Sequence, residues 1–445
     1  MRLRETMTLW AALLACVLSA GCGGVADAPP LRDAEGRVVL YHGVNVSNYS
    51  KYAPDFLPWH SKEDFARLRD WGFNLVRYLV FWEAIEPERG RYDEAYLAAT
   101  LERIGWLEEL GIDVLVDLHQ DLYARPFTGD GFPEWTINDD GHEFTLRQPW
   151  NLNYIEPAVR ASYRNFWKSD DSRGRYAAMA AVLLERLEGR PNVIGLDIMN
   201  EPWPAPLPGF ERRVLGPFYE EMRAMRRQRG FTTPLYFEPV IYTSTGWPSA
   251  LDFTPDPDWV YTPHYYDPLC HEGRPYTFFG KLLMQWGVRG KINEARRFGV
   301  PLLYGEIGIS PAVEGHEEFL RDLFGLFRRH HIGWTYYSLD KAGHSGFGVL
   351  EPDGSPNYGI LRHLISVYPQ RVAGTNLKTD YGDTHFTLSY DPSGEPGLTV
   401  IALPELFAHA KVLVNGQAAA HDPELRRFEH WSRAEDGRQT IRVEW

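Results

Sequence analysis

Short runs rich in β-branched and aromatic residues recur along the chain, separated by stretches in which apolar positions return every three or four residues. The runs fall at 38–46, 74–80, 112–118, 193–199, 235–241, 259–264, 301–306 and 333–339. The stretches between them read as amphipathic helices. From 93 to 110, Leu97, Leu101, Ile104 and Leu107 share one face, and Gly111 closes the pattern. Segments 211–229 and 317–330 repeat it. Eight strands alternating with helices predict parallel pairing through crossover connections, and a closed (β/α)8 TIM barrel is expected over 30–370. After Tyr368-Pro369 the rhythm changes. Segments 386–390, 398–403, 411–414 and 440–445 are short and strand-like, with hairpin turn chemistry at Asn415-Gly416 and Asp436-Gly437. A small C-terminal β-sandwich domain is expected over 371–445, buttressing the barrel.

The first residues follow a different pattern. Arg2 and Arg4 precede an apolar run at 9–18, then Ser19-Ala20-Gly21-Cys22. That run is too short for a membrane span and reads as an export signal over 1–22. Gly21-Cys22 resembles a lipoprotein processing site, so the chain is expected to be secreted or extracytoplasmic. A lipid anchor at Cys22 would hold it at a membrane surface; ordinary cleavage nearby, with Cys22 incidental, is the alternative. Of the three cysteines, Cys16 lies within the signal. An acylated Cys22 would leave Cys270 without a partner, so stability must come from the core. The net charge of -14 excludes nucleic acid as a partner, because no positive field is available to replace phosphate counterions. Fifteen Trp residues tilt the reading towards sugars, whose apolar faces stack on aromatic rings.

Two glutamates stand where barrel enzymes place their chemistry, at the C-terminal ends of strands. Glu201 ends Met199-Asn200-Glu201-Pro202 after the fourth run, and Glu306 ends Tyr304-Gly305-Glu306 in the seventh. Retaining glycosidases need two carboxyls about 5–5.5 Å apart, one a proton donor and the other a nucleophile. Strands four and seven lie across the barrel mouth, where inward side chains can face each other at that scale. The acid must stay protonated and the nucleophile ionised. Arg77, inside the apolar second run, is placed to hold the nucleophile's charge. His119 and His264 occur singly, without zinc-ligand spacing, so no metal or cofactor is expected.

Arg77, His119, Asn200-Glu201-Pro202, His264-Tyr265-Tyr266, Glu306 and Trp334, in that order, resemble the signature of glycoside hydrolase family 5. The resemblance implies Glu201 as acid/base and Glu306 as nucleophile. It implies that Asn200 bonds the sugar 2-hydroxyl, that His264 and Tyr266 form the His-x-Tyr pair in which Tyr266 positions the nucleophile, and that Trp334 is a sugar-stacking floor. Longer stretches are similar to the endoglycoceramidases of that family: 43–51, Asp117-Leu118-His119-Gln120-Asp121, 129–135, Asn165-Phe166-Trp167 and 263–268. These imply that Lys51, His119, Asp121 and Trp167 contact the sugar next to the lipid or its neighbour. The implied substrate is a glycosphingolipid, cleaved between glycan and ceramide.

Segment 120–154 carries Phe127, Phe132, Trp135, Phe144 and Trp150 on the active-site face, either to receive an acyl chain or to pack the loop on the barrel. Ile307-Gly308-Ile309 and Trp334-Thr335-Tyr336-Tyr337-Ser338 depart from the commoner pattern and leave the glycan open. Galactosyl- or glucosylceramide cleavage is one alternative, and a family 5 endo-β-glucanase or mannanase is another. A non-catalytic carbohydrate-binding lipoprotein would need neither Glu201 nor Glu306.

Overall fold

The computed structural model describes residues 26–344, 347–393 and 395–445. The expected export signal, with Cys16 and Cys22, lies outside the described residues. The 38–46 run divides in two: β1 (Val38–Val39) joins the C-terminal domain and β2 (His42–Val46) opens the barrel. The barrel continues through β3 (Leu75–Val80), β4 (Asp113–Leu118), β5 (Val193–Asp197), β6 (Leu235–Phe237), β7 (Val260–Tyr261), β8 (His264–Tyr265), β9 (Leu303–Ile307) and β10 (Gly333–Tyr336). These strands pair in parallel in the spatial order β7-β6-β5-β4-β3-β2-β10-β9-β8. β7 and β8 are halves of one stave, separated at Thr262-Pro263, where proline has no N–H to give the ladder. β7 pairs with β6, β8 pairs with β9, and a bridge between Tyr261 and Leu302 closes the ring.

The helices between the staves follow the apolar spacing. α1 (Lys62–Asp70) starts at a capping box made by Ser61 and Asp64, a device whose cap is typically worth about 1 kcal/mol. α2 (Glu94–Glu109), α3 (Pro157–Lys168), α4 (Asp170–Leu187), α5 (Gly216–Arg229), α6 (Phe278–Phe298) and α7 (His316–His330) complete the outer layer. α7 buries Phe319, Leu320, Leu323, Phe324 and Phe327, the stripe its spacing predicts. Among the described residues, no helix is long and apolar enough to cross a membrane.

The C-terminal domain is built from β11 (Tyr368–Val372), β12 (Gly374–Tyr381), β13 (His385–Pro392), β14 (Gly397–Ala402), β15 (Lys411–Val414), β16 (Gln417–Ala419), β17 (Arg427–Ser432) and β18 (Gln439–Glu444). One sheet runs β1-β11-β14-β17 and the other β12-β13-β18-β15-β16. Asn415 and Gly416 both have positive φ, 51° and 83°, and close the β15–β16 hairpin as their chemistry predicts. Asp436-Gly437 does not close a hairpin: β17 and β18 belong to different sheets, so this turn carries the chain across the sandwich. The two domains are stitched together. β1 pairs with β11, Tyr368 Oη donates to the Gly72 carbonyl at 2.9 Å, and Arg371 pairs with Asp113 at 2.7 Å.

The barrel interior changes character from bottom to top. Leu75, Leu115, Tyr236 and Leu303 pack together in a cluster at the lower end. Above them, period-2 alternation turns Asn45, Arg77, Asp117 and Asp197 inwards, and the register shift of β9 against β10 brings Glu306 in with them, with Asn45 beside Arg77, Asp117 beside Asp197 and His264 beside Glu306 in the register. Every one of these polar side chains is buried. That layer is the floor of the site.

Candidate active site

Buried charge is tolerated only when paired, and Arg77 supplies the pairing here. Its guanidinium donates to Glu306 Oε1 at 2.8 Å, Glu238 Oε1 at 2.9 Å and Asn45 Oδ1 at 3.1 Å. It grips Asp197 through Nε and Nη2 at 3.1 and 3.0 Å, and Nη2 lies 3.0 Å from Asp117 Oδ1. Glu306 gains a second donor in Tyr266 Oη at 2.8 Å. Burial opposes the charge of Glu306. His264, Arg77, His119 and Lys51 overcome that penalty and hold its pKa below the usual glutamate value. Gly305 makes this packing fit, since a Cβ there would lie 2.8 Å from Thr262 Oγ1 and 3.0 Å from His264 Nε2.

Glu201 stands opposite in a different environment. Its carboxylate accepts from Ser244 Oγ at 3.0 Å and meets His264 Nδ1 at 3.0 Å. Burial raises its pKa, His264 works against the rise, and the negative charges of Glu306 and Asp121 add to it. One carboxylate oxygen of Glu201, one of Glu306 and a nitrogen of His264 all lie within 4.8 Å of one another. This separation suits direct nucleophilic attack. The inverting arrangement, which leaves room for a water, needs about 6.5–9.5 Å. Burial disfavours a charged imidazole at His264, but Glu238, Glu306 and Glu201 together raise its pKa well above the usual value. The backbone at Glu201 is held at φ 41°, which a non-glycine residue adopts only when its surroundings fix it. Gln120 Nε2 donates to the carbonyls of Asn200 and Glu201 at 2.7 and 3.1 Å, and Glu238 Oε2 accepts from the Glu201 amide at 2.9 Å.

The two glutamates open on a cavity of about 580 Å³. Lys51, Asp121 and Tyr266 line it with them; Arg77, His119, Asn200 and His264 lie directly behind these residues. Lys51 Nζ pairs with Asp121 Oδ2 at 2.6 Å, and His119 Nδ1 lies 2.7 Å from Asp117 Oδ2. Burial and Lys51 act against a charged His119, yet Asp117 and Asp121 raise its pKa to about 9. Asn200 accepts from Arg77 at 3.1 Å and donates to the Gln120 carbonyl at 3.1 Å, so its amide is tied on both sides.

Two expected contacts need correction. Trp334 is 2% exposed and points away from the cavity, packed against His42 and Phe324 at ring separations of 4.7 Å. Period-2 alternation along β10 carries Trp334 to the outer face and the residue three places on, Tyr337, to the inner one. Tyr337 lines the cavity, and its hydroxyl donates to Asn48 Oδ1 at 2.6 Å. Trp167 is also 2% exposed, lodged between Phe166, Phe210 and Phe218. It acts through its neighbour: Nε1 donates at 2.8 Å to the carbonyl of Trp203, which lines the cavity. Trp334→Phe should therefore lower stability by about 1–2 kcal/mol without changing KM for a soluble glycoside. Tyr337→Ala should raise that KM roughly tenfold, from the loss of about 1–1.5 kcal/mol of ring contact. Thermal melts and steady-state kinetics on the two variants separate these outcomes.

The aromatic loop divides as well. Phe127 and Phe132 are buried, Phe132 stacks on Tyr123 at 4.4 Å, and Trp135 Nε1 donates to the Glu86 carbonyl. Phe144 packs on Phe127. Trp150 is exposed and stands at the cavity with Ile155, Trp203, Ile241 and Tyr242. Sequence reasoning missed Asn45, Asp117, Asp197, Glu238 and Ser244. Glu238-Pro239 closes β6 much as Glu201-Pro202 follows β5, and that parallel was the signal available.

Residues 33–343 match the family model of cellulase (glycosyl hydrolase family 5), and residues 367–443 match the glycoside hydrolase family 5 C-terminal domain. Endoglycoceramidase I of Rhodococcus hoagii (strain 103S) is 31% identical, over 86% of this chain and 80% of its own. Endo-glycoceramidase II from Rhodococcus sp., solved as a ganglioside GM3 complex, superposes with a TM-score of 0.86 at 28% identity, covering 94% of this chain and 99% of that one. Its lactosyl-enzyme intermediate gives a TM-score of 0.84 at 29% identity, with the same coverage. With the family model running from ahead of the first stave to beyond the last, the chain belongs to glycoside hydrolase family 5.

Proposed function

We propose that this glycoside hydrolase is a retaining endoglycoceramidase, cleaving the β-glycosidic bond between the glycan and the ceramide of a glycosphingolipid. The observation that carries the reading is a closely spaced acid–nucleophile pair in a cavity whose walls differ by origin. The loops after β2, β4 and β10 bring Asn48, Lys51, Asp121, Asp130 and Tyr337. Segment 150–155 and the loops after β5 and β6 bring Trp150, Ile155, Trp203, Ile241 and Tyr242. Hydroxyls find partners on the first wall, and hydrocarbon leaves water on the second. Burying about 200 Å² of acyl chain there contributes roughly 5 kcal/mol at most. The Rhodococcus enzyme solved with ganglioside GM3 supports the same substrate class.

The chemistry follows from the two environments. Glu306, ionised and held by Arg77 and Tyr266, attacks the anomeric carbon while Glu201 gives its proton to the glycosidic oxygen. Ceramide leaves as an alcohol, and a glycosyl ester remains on Glu306. Glu201, now ionised, takes a proton from a water that attacks the same carbon, and the released glycan keeps the β configuration. Activity requires Glu306 deprotonated and Glu201 protonated. kcat/KM should therefore rise with pH through the lowered Glu306 pKa and fall through the raised Glu201 pKa. Glu201→Gln should lack the alkaline limb.

The test is incubation of the protein with monosialylated ganglioside, glucosylceramide and carboxymethyl cellulose in mild detergent. Release of intact oligosaccharide and ceramide from the ganglioside is the expected result. Cleavage of carboxymethyl cellulose with both lipids untouched would overturn the lipid assignment. The basic and then apolar start of the chain supports export, and Gly21-Cys22 supports acylation at the membrane surface. Incorporation of labelled palmitate in a bacterial host, lost in Cys22→Ser, is the corresponding check.

A further inference from the structure

Glu238 is not among the residues that line the cavity, yet it touches Glu201 by two routes. It follows β6 at the barrel mouth with its side chain 2% exposed, and its own carbonyl accepts from Tyr219 Oη of α5 at 2.6 Å. Oε2 accepts from the backbone N–H of Glu201 at 2.9 Å. Oε1 lies 3.1 Å from His264 Nε2, and the opposite nitrogen of that ring, Nδ1, meets the Glu201 carboxylate at 3.0 Å. The first contact pins a residue whose φ of 41° is unfavourable without outside support. The second is a charge contact outside hydrogen-bond alignment: a carboxylate that close favours the protonated ring, whose Nδ1 then donates to Glu201.

We infer that Glu238 is a positioning residue for the acid/base, holding both the backbone of Glu201 and its imidazole partner so that the proton reaches the leaving oxygen. This rests on Glu201 being the acid/base. The inference separates the two halves of the site. Arg77 also touches Glu238, but it keeps its two bonds to Asp197 and its bond to Asn45 when Glu238 is changed. The Arg77–Glu306 and Tyr266–Glu306 bonds, both 2.8 Å, do not pass through Glu238; the link that does, from His264 Nδ1 to Glu306 Oε2, is longer at 3.6 Å than the 3.0 Å contact of the same nitrogen with Glu201. Loss of Glu238 should therefore impair proton donation far more than nucleophilic attack.

Leaving-group dependence reads this difference. A dinitrophenyl glycoside departs without a proton, whereas an alkyl glycoside needs one. In Glu238→Gln the amide must turn its NH2 towards either the Glu201 N–H or the Arg77 and His264 donors, so one contact is lost. kcat/KM should fall on the order of 100- to 1,000-fold for octyl β-lactoside and less than about 10-fold for 2,4-dinitrophenyl β-lactoside. Equal falls on both substrates, or no fall on either, would overturn the assignment, because a structural role would not select by leaving group. Circular dichroism confirms folding. If the Gln variant does not fold, Glu238→Asp takes its place: it keeps the charge but is one methylene short of the Glu201 amide, and the same selectivity is required of it. Glu201→Gln, assayed in parallel, must show the selective loss too. If it loses both substrates equally, the acid/base reading fails, whatever Glu238 does.

Discussion

Glu306→Gln should lower kcat/KM by about 10⁴-fold or more on every glycoside tested, with the fold and melting temperature close to those of the parent. The amide is nearly isosteric: with its carbonyl oxygen at the Oε1 place it keeps the 2.8 Å bond from Arg77 Nη1, and its NH2 at the Oε2 place donates to Tyr266 Oη, which turns from donor to acceptor. What is lost is the charge and the oxygen that forms the glycosyl ester. Stability should change little, because Arg77 retains Asp117, Asp197 and Glu238 as counter-charges within 3.1 Å. Glu306 is also one of the charges that raise the Glu201 pKa, so the acid should ionise at lower pH in the variant. Glu306→Ala supplied with azide should form the α-glycosyl azide, with the anion attacking from the vacated face and Glu201 still protonating ceramide. A Gln variant retaining more than about 1% of parent activity would remove Glu306 from the mechanism.

The barrel was legible because its signal is local. Each stave is a short apolar run ended by polar residues, and each outer helix repeats a three-four spacing such as the α7 stripe of Phe319, Leu323 and Phe327. Glu201 and Glu306 were legible for the same reason, since a carboxylate at the end of an apolar strand announces itself. What sequence could not give was set by tertiary partners. The 38–46 run reads as one strand, but Val38 and Val39 find their ladder in β11, more than 300 residues away. Asp436-Gly437 has hairpin chemistry, yet the strands it joins pair elsewhere.

Trp334 shows where resemblance and periodicity part. A family motif points to an aromatic near the end of the last stave, and both Trp334 and Tyr337 satisfy it. Only the parity of β10 decides which one faces the cavity, and the structure gives that place to Tyr337. The residues missed altogether, Asp117, Asp197 and Glu238, are acids inside apolar runs. Their meaning depends on Arg77, which reaches all three from a different stave. Conversely, Trp150 is the exposed aromatic of a loop whose other rings pack the barrel; burial, not composition, separates it from Phe127 and Phe132.

Arg77→Met should be the most damaging substitution to the fold among the site residues. The side chain is fully buried and faces Asp117, Asp197, Glu238 and Glu306 at 2.8 to 3.0 Å. Removing one partner from a buried ionic cluster typically costs about 3–5 kcal/mol, because the charges left behind remain desolvated. Lysine does not substitute: a single ammonium cannot span donors directed to Asn45, Asp197 and Glu306 at once. The deficit should depend on pH, with a definite sign. Without the guanidinium, burial and repulsion by Glu238 raise the folded-state pKa of Asp197 still further above its unfolded value. The folded state then binds more protons than the unfolded state, and stability falls as pH rises between the unfolded carboxylate range near 4 and the raised folded value. Burial and Glu238 already drive Asp197 upward with Arg77 in place, so the trend exists in the parent and strengthens in the variant. Melting curves from pH 5 to 8 should show the gap between the two proteins widening with pH, to roughly 5 °C or more at neutrality. Melting within 1 °C of the parent across that range would mean that the buried cluster does not need the guanidinium for stability, and Arg77 would then serve Glu306 alone.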